Sequence, residues 1–157
     1  MTKKKRQRRS EPSTGYYILQ ITDWDWNYHF GINAARLDDR AYSDFRHLLL
    51  RGRVLLPSKL GLKVDHVELT FLPNVSPAEL ERSGPHPVGI GYLSIHARNL
   101  TGGISIAKDA LGLVLPMLIA GRFNYLVMYG EPMRYRRARI NSYHFEKELN
   151  VEDYPDE

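Results

Sequence analysis

The stretch Thr22 to Phe30, TDWDWNYHF, decides how this chain is read. Trp24, Trp26, Tyr28 and Phe30 share one parity, and Asp23, Asp25, Asn27 and His29 share the other. Successive side chains of a strand point to opposite faces, so this alternation predicts a strand with one buried and one wet face. Just upstream, Tyr17, Leu19 and Ile21 are apolar on the odd parity. The inward phase therefore switches between Ile21 and Trp24, which predicts a bulge or tight bend near Thr22 and Asp23.

Downstream, residues 34–45 (AARLDDRAYSDF) are polar and turn-rich and read as a loop with one short helical turn. Leu48, Leu50, Gly52, Val54 and Leu56 then alternate with Arg51 and Arg53, a strand stopped by Pro57. Asp65 to Phe71 alternates again. Residues 74–87 hold three prolines and one short helical candidate, Pro77 to Arg82, with Ser76 and Glu79 spaced as a capping box. In Val88 to Arg98, Gly89 and Gly91 share a parity with Leu93 and Ile95, which predicts a close approach to the backbone. Gly102-Gly103 reads as a tight turn. About Lys108 to Ala120 reads as a helix kinked at Pro116 and stopped at Gly121. Phe123 to Gly130 and Met133 to Leu149 read as a long hairpin whose first arm, apolar on both parities, is covered on both faces.

About seven strands and one late helix (about 108–120) predict a mainly β fold of the β-rich α+β kind. The two architectures that fit are an antiparallel β-sandwich and a strongly curved sheet whose open end the helix closes.

The chain has 157 residues, 43% of them hydrophobic, 25% charged and 11% aromatic, enough for one core without covalent staples. It has no cysteine, which excludes disulfides, thiolate nucleophiles and cysteine-ligated metals. Residues 1–10 carry six of the 22 basic residues and no acid, so the rest of the chain is near neutral despite a formal charge of +4. From Glu146 to Glu157 six acids accompany one lysine. The organisation expected is a disordered basic tail (1–14), a single globular β-rich domain (15–149) and a solvated acidic tail (150–157). The basic start meets no apolar run of secretory type, and the most apolar stretch, Ala110 to Ala120, falls short of a bilayer span. A cytoplasmic protein without membrane attachment is the expectation, with the basic run serving as a nuclear address in a eukaryotic cell.

Three features bear chemistry. The row Asp23, Asp25, His29 offers carboxylates and an imidazole for a metal or for acid–base work, although a wet strand face explains it as well. The run Lys3, Lys4, Lys5, Arg6, Arg8 and Arg9 attracts phosphate backbones by counterion release. Arg134, Arg136, Arg137 and Arg139 form a second basic cluster. On a straight strand they split by parity, so only one pair can join Arg51 and Arg53 in a cationic face; cross-strand pairing with Glu68, Glu146 and Glu148 is the structural counterpart. No nucleophile elbow, phosphate-binding loop, zinc-protease helix or dinucleotide fingerprint occurs, so no catalytic residue, metal ligand or cofactor is assigned.

The sequence thus predicts a small, non-enzymatic β-rich binding module that contacts nucleic acid or another polyanion through its basic arm. The alternative is a self-associating or adaptor protein using a sheet edge or aromatic surface, and the third reading is an enzyme built on Asp23, Asp25 and His29. Deleting residues 1–10 is expected to leave the melting temperature unchanged and to remove most affinity for heparin or oligonucleotides, as thermal denaturation and titration will show.

Overall fold

The structure is a computed structural model that describes residues 14–32, 42–75, 82 and 89–156. The basic run 3–9 and most of the 77–82 helical candidate lie outside the described residues. Seven strands make one strongly curved mixed sheet: β1 (Gly15–Ile32), β2 (Tyr42–Leu56), β3 (His66–Val75), β4 (Gly91–His96), β5 (Asn99–Ala107), β6 (Tyr125–Gly130) and β7 (Arg137–Glu146). Among the described residues, the helices α1 (Ser58–Gly61) and α2 (Leu111–Ile119) and a 3-10 turn (Val151–Asp153) accompany it. The sheet closes on itself in the order β1-β2-β3-β5-β4-β7-β6. Of the two architectures expected, the curved sheet is the one formed. All pairings are antiparallel except β3 with β5.

The ladder that closes the sheet pairs Gly15–Gln20 of β1 with Tyr125–Gly130 of β6. Within that stretch Tyr17 and Leu19 point into the main core with Leu48, Leu69, Phe71, Leu93, Leu126 and Met128, and α2 adds Leu111 and Leu118. Ile18 points the other way, onto a second small cluster with Leu56 and Val127 that Leu149, Val151 and Tyr154 cover. This explains the doubly apolar β6: Leu126 and Met128 line the main core while Val127 faces the second. Of the segment read as an acidic tail, Val151 and Tyr154 pack here, while Glu152, Asp153 and Asp156 stay exposed. The Tyr154 ring meets Tyr16 edge-on at 5.2 Å, and the Asp156 carboxylate accepts from Ser58 N–H (2.8 Å) and the Ser58 hydroxyl. Those two bonds hold Asp156 below the usual carboxylate range.

The β1–β2 register shifts between Ile21 and Asp23, where the phase switch of the sequence placed a bulge. Past it β1 has no β6 partner and runs on with β2 alone to Ile32–Tyr42. Residues 42–45, read as part of a loop, are the outgoing half of this ribbon. Trp24 packs against the main core, but Trp26, Tyr28 and Phe30 are exposed, which corrects the buried aromatic face expected from the alternation.

The turn between β4 and β5 is Ala97-Arg98, with Ala97 at φ 52, and not Gly102-Gly103. The glycines instead sit in mid-strand. A Cβ on Gly102 would lie 2.5 Å from the Tyr92 carbonyl oxygen, so the tight curvature there admits no side chain. The close approach expected at Gly91 is present too, against Gly103 O at 2.9 Å.

Two phenols are enclosed by this closure. Tyr17 donates to the Glu131 carbonyl at 2.7 Å and Tyr143 to the Ser105 carbonyl at 3.2 Å. Burial pushes both up to about 12 from the ordinary 10.0. A phenol whose folded value is raised contributes stability present below pH 10 and lost as the pH rises toward 12. Tyr17→Phe should cost about 1 kcal/mol at pH 7, and the Tyr17→Phe/Tyr143→Phe chain should lose less stability than the parent between neutral pH and pH 12, read by chemical denaturation.

Candidate nucleic-acid interface

The second basic cluster is not the straight strand its parity suggested. Arg134 N donates to Arg137 O at 2.8 Å and Arg137 N to Arg134 O at 2.9 Å, closing a two-residue hairpin turn. Both central residues lie in the left-handed region, Tyr135 at φ 50 and Arg136 at φ 65, as such a turn requires. This conformation costs a residue with a Cβ roughly 1–2 kcal/mol, and it sets Arg134 directly opposite Arg137. Arg136 stands exposed at the turn and does not share a strand face with Arg134.

Along β7, Arg137 and Arg139 are exposed while Ala138 and Ile140 enter the core. Their cross-strand neighbours on β4 are Ser94 and Tyr92. Tyr92, in turn opposite Gly103, lies with its ring where a Cβ on Gly103 would come within 3.0 Å. Its ring therefore rests on bare backbone, 59% exposed, next to Arg139. These groups, with Glu131, Pro132 and Tyr135, line an open groove of about 830 Å³.

The groove is cationic. Among the described residues Glu131 is its one acidic lining residue, 4.0 Å from the Arg139 guanidinium and half exposed, a separation that neutralises little. Among the described residues, no ion pair engages the Arg134, Arg136 or Arg137 side chains. The pairing anticipated with Glu146 is absent there too, since Glu146 meets His144 at 3.1 Å.

Arg51 and Arg53 do not join this surface, being several strands away around the sheet. Arg51 bridges Asp23 (3.0 Å) and Glu68 (3.4 Å), and Arg53 donates to Gln20 Oε1 at 2.8 Å. The same ladder accounts for Asp23 in the polar row. Asp25 accepts from the Trp26 N–H at 2.8 Å, and His29 lies exposed farther along the ribbon. Among the described residues, no three His, Asp or Glu side chains are arranged to hold a metal ion, and no helix is long and apolar enough to cross a membrane.

Two parts of the site escaped the sequence. Tyr92 carried no signal, because only the fold sets it across from Arg139. The hairpin turn at Tyr135-Arg136 lacks the Asn-Gly chemistry that marks such turns. No protein-family model matches this chain, and no curated protein or solved structure is significantly similar to it.

Proposed function

We propose that this protein is a non-enzymatic module that binds a nucleic-acid strand along the Arg134–Arg139 groove, with the N-terminal basic run as a second contact. The observation that carries the reading is the convergence of arginines free of ion-pair partners among the described residues with an exposed tyrosine on one concave surface. Guanidinium groups engage phosphates in bidentate fashion, and Tyr92 and Tyr135 offer ring faces on which bases stack without sequence preference.

The place where the described chain begins supports the same reading. Gly15 pairs with Gly130, and a Cβ added to it would lie 4.0 Å from the Cα of Pro132, a lining residue of the groove. Arg9 precedes Gly15 by six residues, so at most about 20 Å of chain separates the basic run from the groove rim. A strand held in the groove is thus within reach of both basic clusters, and phosphate contacts of the two kinds add to one affinity.

The test is fluorescence anisotropy of a labelled single-stranded oligonucleotide titrated with the full chain at several salt concentrations. Replacing Arg134, Arg137 and Arg139 together by Gln is expected to weaken binding and to lower the salt slope by about 2, near 0.7 for each single-strand phosphate that no longer meets a cation. Tyr92→Ala should weaken binding by roughly 1–3 kcal/mol with little change of slope, as expected for stacking. An unchanged slope in the arginine variant would remove the groove from the binding site.

A further inference from the structure

The aromatic face of the β1–β2 ribbon stands apart from the groove and from the nucleic-acid reading. β6 pairs with β1 only from Gly15 to Gln20, and β3 pairs with β2 only from Leu48 to Gly52. Among the described residues, the ribbon beyond those limits, to Ile32 and Tyr42, is two strands wide. Cross-strand register puts Trp26, Tyr28, Phe30 and Ile32 on one face with Leu48, Arg46, Asp44 and Tyr42 respectively. Trp26 stacks on Tyr28 at 6.1 Å and Phe30 on Tyr42 at 6.0 Å. Trp26 is 41% exposed, Tyr28 54%, Phe30 62%, Ile32 77% and Tyr42 60%. A two-stranded ribbon is marginal in water on its own, and a continuous apolar face of this kind marks an interaction surface.

We propose that this face is covered by the same face of a second copy of the chain, in a twofold dimer. The register argues for it. With the axis between the copies at the level of His29 and Phe45, Arg46 comes over the partner's Asp44, Tyr28 over the partner's Phe30, and Trp26 over the partner's Ile32. Each contact occurs twice, as an isologous interface requires. The only charges on the face among the described residues, Arg46 and Asp44, already lie close to one another, at 4.0 Å, so the described surface is neutral and complementary to itself. A nucleic-acid strand would find no excess of cation there. At roughly 200 Å² per side chain, these exposures leave about 600 Å² uncovered per copy, or about 1,200 Å² across the pair, the lower bound of stable interfaces.

Sedimentation velocity of the full chain over a dilution series tests this. The parent chain is expected to show a reversible monomer–dimer equilibrium. Arg46→Asp sets carboxylates against each other across the axis and should raise the dimer dissociation constant at least about tenfold. The exchanged pair Asp44→Arg/Arg46→Asp restores the opposition of charges and should restore the dimer, which separates a charge effect from misfolding. Phe30→Ser, at an exposed ring, should weaken the dimer while leaving the circular dichroism unchanged. A chain that stays monomeric at every concentration overturns the proposal. So does a dimer indifferent to Arg46→Asp, or an exchanged pair that does not recover it. Loss of oligonucleotide binding in a monomeric Phe30→Ser chain would assign the face to nucleic acid instead.

Discussion

The rest of the structure depends on a six-residue ladder, Gly15–Gln20 of β1 against Tyr125–Gly130 of β6. Without it, β1 and β6 would be two open edges offering unpaired backbone groups to any passing strand. With it the sheet is closed, Tyr17 and Leu19 are enclosed in the main core, and Ile18 and Val127 meet in a second cluster on the outside. On its other side β6 packs so closely on β7 that Gly130 has room for no side chain: a Cβ there would lie 2.1 Å from the Arg139 carbonyl oxygen.

The short reach of that ladder divides β1 into two parts with different fates. The first part belongs to the closed sheet; the part past the Ile21–Asp23 shift leaves it and keeps β2 as its one partner. One interaction therefore accounts for both surfaces of interest. It brings the start of the described chain to Pro132, at the rim of the arginine groove, and it leaves the aromatic ribbon exposed among the described residues. The groove has a further requirement, the left-handed pair Tyr135-Arg136 that turns a linear run of arginines into a facing set.

What the sequence made legible was segregation of faces, and what it hid was the cover over each face. The alternation from Thr22 to Phe30 marks a strand correctly, and the change of phase at Ile21–Trp24 marks its bulge, because both are local geometry. That Trp24 meets the core while Trp26 does not depends on where β6 ends, which no local pattern encodes. Gly102-Gly103 has turn chemistry but serves close packing beneath Tyr92, a demand of curvature and not of the chain's direction. The arginines of 134–139 were visible as a cluster, yet their faces follow from a turn with no sequence signature. The acids after Glu146 read as solvated because charge outweighed Leu149, Val151 and Tyr154, the three residues that dock.

Native-state hydrogen exchange tests the closure most directly, at concentrations where the chain is monomeric. The amides of Ile18 to Gln20, held between β2 and β6, should exchange only with global unfolding, and those of Asn27 to Phe30 by local opening at clearly lower free energy. Equal protection of the two stretches, or faster exchange at Ile18 to Gln20, would contradict a sheet closed through β1 and β6.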